Sequence, residues 1–179
     1  MTGSTPAAGG STGPERRQPS GATGSSGAGL LAPGTELLLF RLMGRGYACL
    51  REDVRVVVDV GTGRRPVPGL ADSSLGALGA SGRPVAVASL RVVLGLPDLG
   101  PEGRIMVVST RNGPVGFLVD DVERVVEFDP KAARVNSSRF AGGYVTATVH
   151  LDDESWLLID WDEVPLPPGL GQPANAANG

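Results

Sequence analysis

Between about residue 35 and residue 168 the apolar residues come in short β-branched runs, broken every few positions by glycine, proline or paired charges. That is the punctuation of strands and turns, not the 3.6-residue spacing of helices. The run Leu37-Leu38-Leu39-Phe40-Arg41-Leu42 predicts a first strand, and Gly44-Arg45-Gly46 predicts a turn into a partner over 47–50. Residues 54–60, five of them valine, predict a third strand, ended by Gly61-Thr62-Gly63 and the bend Pro66-Val67-Pro68-Gly69. Further on, 104–109 and 115–119 flank Asn112-Gly113, a strong short hairpin signal. Residues 144–151 and 156–160 predict a closing hairpin, turned by Asp152-Asp153-Glu154-Ser155. One short helix is predicted after Ser89, whose hydroxyl is expected to cap the first turn. Leu90, Val93 and Leu94 would share its buried face, and Gly95 would supply a left-handed stop. The expected fold is mainly β, with one β cluster before the helix and one after it, forming two small barrels around one shared core. No sequence repeat of fixed period accompanies them.

Composition narrows the folded part. Residues 1–34 are almost entirely Gly, Ser, Thr, Ala and Pro, with only Glu15, Arg16 and Arg17 charged and, after Met1, no large apolar residue before Leu30 and Leu31. Such a segment buries too little apolar surface to offset an ordering cost of roughly 1 to 2 kcal/mol per residue. It reads as a disordered tail without a recognition motif, and residues 169–179 read as a second one. The domain is expected over 35–168. As a flexible linker the first tail would span roughly 30 Å on average.

Charge and chemistry then exclude several classes of function. The formal net charge is -3 with both signs interspersed, which provides no broad positive field for nucleic acid or anionic lipid. A single cysteine, Cys49, permits neither an intrachain disulfide nor a thiolate metal cage. It reads as an inert core residue. No Lys or Arg precedes residue 15, no signal-peptide run follows, and no stretch approaches the ~20 apolar residues of a membrane span. The expected location is the cytoplasm.

The only imidazole, His150, lies in a predicted strand and reads as a surface residue there. Carboxylates gather at Asp120-Asp121, at Asp152-Asp153-Glu154 and at Asp160, Asp162 and Glu163. Neighbours on a strand point to opposite faces, so Asp120 and Asp121 are poor partners for one ion. Gly61-Thr62-Gly63 lacks the third glycine and the helix of a dinucleotide loop. Tyr47, Phe117, Tyr144, Trp156 and Trp161 appear spread over the strands without basic interleaving, unlike a stacking platform for single-stranded nucleic acid. No catalytic residue, cofactor site or metal site is assigned.

Three ordered stretches carry a family likeness. The first starts at Val67-Pro68-Gly69 and runs through Leu75-Gly76-Ala77-Leu78, Gly82-Arg83 and Val87 to Leu90-Arg91 and Leu94-Gly95-Leu96. The second is Val115-Gly116-Phe117-Leu118-Val119-Asp120-Asp121-Val122, continued by Val125 and Phe128. The third extends from Gly143 to Leu158-Ile159-Asp160. Together they resemble the CheW-like domain family over nearly all of residues 35–164. The resemblance implies a pair of small SH3-like β-barrels and a non-enzymatic chemotaxis adaptor. Its implied partners are the signalling tip of a methyl-accepting chemoreceptor and the regulatory domain of a CheA-type histidine kinase. It also implies protein-binding positions at Val54, Gly76, Ser81, Gly82, Gly116, Val122 and Val125. Ser81 stands where the family usually has arginine, Ala86 where it has proline and Ser89 where it has aspartate. Losing a guanidinium at Ser81 removes a forked hydrogen-bond donor. The rival readings are a divergent structural module that pairs only with itself, and a metal protein or enzyme built on the acidic residues of the last hairpin.

Overall fold

In the computed structural model the described residues are 31–61, 64–65, 74–80, 83–136 and 142–170, with 64–65, 74–80 and 83 described in backbone only. Among the described residues twelve strands form: β1 Glu36–Leu42, β2 Arg45–Leu50, β3 Val54–Asp59, β4 Arg64–Arg65, β5 Ser74–Ala80, β6 Arg83–Ser89, β7 Arg104–Thr110, β8 Gly113–Val119, β9 Asp121–Glu127, β10 Arg134–Asn136, β11 Val145–Leu151 and β12 Glu154–Ile159. A 3-10 turn, Arg51–Asp53, joins β2 to β3, and one helical turn, α1 Leu90–Val93, follows β6.

The strands make two six-stranded sheets. The first is ordered β10-β11-β12-β2-β1-β9 and the second β3-β7-β8-β6-β5-β4. Both share one plan, in which two antiparallel hairpins are joined by a short parallel contact between their second strands. In the first sheet Leu157 and Leu158 of β12 run parallel to Tyr47 and Ala48 of β2. In the second, Val87–Ser89 of β6 run parallel to Gly116–Leu118 of β8. The structure thus contains a repeat that the sequence conceals.

The expected division at the helix is overturned. The whole second sheet is drawn from the middle of the chain, while β1 and β2 join β9 to β12 from the far end. Pairing decides this, because β1 takes β9 along its free side from Glu36↔Glu127 to Arg41↔Asp121 and β2 takes β12.

Burial follows the strand alternation. Leu37 and Leu39 turn inward to a cluster with Ala48, Val149, Trp156 and Leu158, all from the first sheet. Leu38, Phe40 and Leu42 point the other way and meet Val54, Leu90, Met106, Val108, Val115, Phe117 and Val119 from the second sheet and α1. Val85, Val87, Ile105, Val107 and Leu118 form a third cluster inside the second sheet. The unbroken apolar run at 37–40 is therefore a strand buried on both faces, each such side chain contributing about 1.5 to 3 kcal/mol.

Of the aromatic residues read as scattered, Tyr47, Phe117 and Trp161 in fact converge with Phe40 on the seam between the sheets, whereas Trp156 stays in the first sheet's own cluster. Tyr47 stacks on Phe40 (ring centroids 5.7 Å apart), Phe40 on Trp161 (6.1 Å) and Trp161 on Phe117 (5.2 Å). Sequence order hides this because Trp161 lies beyond β12 and returns to the core in the turn that follows that strand.

Local details depart from expectation as well. The first hairpin turns at Met43-Gly44, and Arg45 and Gly46 already belong to β2. A side chain at Gly46 would press on the Trp156 ring, the nearest ring carbon lying 2.8 Å from a built Cβ. Ser89 does precede α1, but its hydroxyl makes no capping bond and is buried without a hydrogen-bond partner among the described residues. Gly95 ends the helical turn at φ 73°, as expected.

Candidate functional site

The described marked positions fall into two groups, one on each sheet. Gly76 of β5 and Gly116 of β8 lie on either side of Val87, to which both are paired across β6. Gly116 is buried, and a Cβ there would come within 2.9 Å of Val87 Cγ2 and 3.3 Å of Ile105 Cγ2. The missing side chain lets three strands close up. Val54 opens β3 opposite Val108 and is buried in the seam. Ser81 and Gly82 lie outside the described residues.

Val122 and Val125 belong to β9, one of the two end strands of the first sheet. Val122 is partly buried against the seam, whereas Val125 is 42% exposed. One end strand of the second sheet, β3, likewise presents a valine, Val56, at 41% exposure. Sequence reading did not single out Val56, because simple alternation groups it with the buried Val54, and a register shift in the β3–β7 pairing between the two turns it outward.

Charges flank both end strands. Arg41 pairs with Glu123 of β9 and with Glu154 of β12 (2.7 Å), and its guanidinium lies 4.4 Å above the Trp156 ring. Glu123, first among these partners, holds the Arg41 pKa above its ordinary value. Arg124 reaches Asp152 at 2.9 Å. Beside β3, Arg55 donates to Ser109 Oγ (2.8 Å) and Arg104 pairs with Asp59 (3.1 Å). Charges along β9 and β3 guard these end strands against unregulated edge-to-edge pairing.

Several of the acidic groups are engaged within the fold. Asp120 Oδ2 accepts the Met43 N–H, Asp121 accepts the Val122 N–H (2.8 Å), and Asp162 accepts the Arg111 N–H (2.6 Å). Asp162 and Glu163 also face the Arg111 side chain at 3.7 and 3.6 Å. Asp53 sits at a cleft of about 280 Å³ lined also by Ser109, Thr110, Trp161 and Asp160. Burial, then the neighbouring Glu52, Asp160 and Asp162, push its carboxyl up to about 6.

His150 holds the surface strand position expected for it. Its Nδ1 is 3.0 Å from Ser155 Oγ and its Nε2 is 3.1 Å from Asn136 Nδ2, so one ring ties β10 to β11 and β12. Cys49 is fully buried, and desolvation pushes its thiol up to about 12, which keeps it protonated and unreactive at neutral pH.

Among the described residues no helix is long and apolar enough to cross a membrane. The chain resembles the scaffolding protein TtCheW from Thermoanaerobacter tengcongensis, whose crystal structure superposes with a TM-score of 0.65 at 20% identity, covering 78% of this chain and 97% of that one. That likeness speaks for the fold. No curated protein matches the sequence. The family model described as the CheW-like domain matches residues 36–165. Its span takes in both sheets, the seam and both end strands, and the chain therefore belongs to the CheW-like domain family, a family of non-enzymatic scaffolds.

Proposed function

We propose that this protein couples the signalling tip of a chemoreceptor to the regulatory domain of a CheA-type histidine kinase on the cytoplasmic side of the membrane. The observation that carries the reading is the family match across a two-sheet body in which each sheet keeps an end strand with an exposed valine. An adaptor must hold two partners at a fixed spacing. Two sheets fused over one core meet that requirement, because neither can shift without disturbing the seam. Control then rests on contacts that differ between two states of the assembly, with no bond made or broken.

The test is biolayer interferometry of the full chain against an immobilised receptor-tip fragment and against the kinase regulatory domain. The wild-type chain is expected to bind both. Val125→Asp and Val56→Asp are each expected to weaken one of the two by at least about tenfold, the scale of a lost interface anchor, with the melting temperature unchanged. Absence of binding to both partners overturns the proposal. A tight dimer by light scattering, with neither partner bound, assigns the protein instead to self-association.

A further inference from the structure

Asp120 is the single residue between β8 of the second sheet and β9 of the first. Its backbone N–H donates to Arg41 O of β1 (3.1 Å), and its Oδ2 accepts the N–H of Met43 in the β1–β2 turn. Its Oδ1 lies 3.4 Å from Nε of Arg91. The Arg91 side chain is only 3% exposed, and its Nη2 donates to the carbonyls of Gly100 and Glu102, each at 3.2 Å. A single ion pair therefore touches α1, the segment 96–103 and the turn of the first hairpin. Neither Arg91 Nε nor Asp120 Oδ1 has a hydrogen-bond partner among the described residues. The ionic contact is what compensates both buried atoms, and a buried charge that loses its counter-ion is strongly disfavoured.

The surroundings show what this contact holds. Met43 is kept at φ 50°, in the left-handed region that a methionine rarely adopts. At the other end of the network Gly103 lies at φ 129°, so close to the end of β8 that a Cβ would fall 2.0 Å from Val119 O. Three of the five exposed large hydrophobic residues among those described are attached here: Met43 itself, Val92 next to Arg91 and Leu99 next to Gly100. Leu99, at 60%, is the most exposed of the five.

We propose that the Arg91–Asp120 pair is a latch between the sheets, fixing segment 96–103 and the Met43-Gly44 turn as one unit that opens and closes together. Arg91 and Asp120 act as positioning residues, and their effect on any partner passes through the exposed side chains they hold in place. The latch does not depend on which partners dock.

Native-state hydrogen exchange of the full chain tests it, read at the amides of Met43, Leu96 and Gly100, with Val149 in β11 as the reference. In Asp120→Asn, which keeps the shape and removes the charge, the three amides are expected to exchange at least tenfold faster together while Val149 is unchanged. Acceleration at only one side of the pair, or at neither, overturns the latch. Should the variant fail to fold, the wild type in graded subdenaturing urea decides the matter. The three amides are expected to merge onto one opening isotherm, and separate isotherms for Met43 and for Leu96 with Gly100 overturn it.

Discussion

Asp53 shows how a single residue records the cost of joining two sheets. It lies in the 3-10 turn that carries the chain from one sheet to the other, half-buried beside Glu52, Asp160 and Asp162. Its carboxyl titrates near 6 when folded, against an ordinary aspartate value of 3.8. The folded state thus binds the proton more tightly than the unfolded chain. The stabilisation from that proton is complete below about pH 4 and is lost as pH rises through about 6. Asp53→Asn is expected to flatten the stability profile across that window. Above pH 7 it should gain about 1 kcal/mol after discounting for solvent screening, measured by urea denaturation from pH 4 to 8. A profile that keeps the wild-type slope would show that another group carries it. Ser89 shows the reverse: a helix-start residue in sequence whose hydroxyl the core closes over before it can cap.

At the scale of elements, turn chemistry sets which hairpins are under tension. The β11–β12 turn has Asp152 at φ 50° and Asp153 at φ 63°, the geometry for which Asn-Gly is the favoured pair. Asp152 is retained by its contact with Arg124. Asp153→Gly is expected to stabilise the protein by about 0.5 to 1 kcal/mol by relieving the left-handed conformation, seen as a higher urea midpoint at unchanged m-value. A lower midpoint would mean that the aspartate side chain itself supports the turn. The β7–β8 hairpin, anticipated from Asn112-Gly113, turns one residue earlier, at Arg111-Asn112, with Gly113 already paired to Thr110. Strands β5 and β9 escaped the sequence reading for different reasons. β5 is rich in alanine and glycine, which carry little strand preference, and β9 is an end strand whose charged positions face solvent.

For the whole molecule the decisive feature is the seam. Trp161 stacks between Phe40 of the first sheet and Phe117 of the second and is fully buried. Trp161→Ala is expected to cost about 3 to 5 kcal/mol through lost contacts and the cavity left behind. Unfolding should stay a single transition by fluorescence and circular dichroism, since both sheets share that core. Two separated transitions would show the sheets to be independent units. By itself the amino-acid sequence determined the strand-and-turn character of the chain, seven of its strands, the short helix with its glycine stop, the inert Cys49 and the family motifs, because each is written in local periodicity or in contiguous residues. Only the tertiary structure decided that β1 and β2 belong with β9 to β12, that four scattered aromatic rings form one stack, and that Val125 faces outward while Val54 and Gly116 are buried. Those facts depend on pairings between residues as much as 113 positions apart, such as Arg41 with Glu154. Contacts at that separation are fixed by how two curved sheets share buried area, and neither strand's own sequence carries that information.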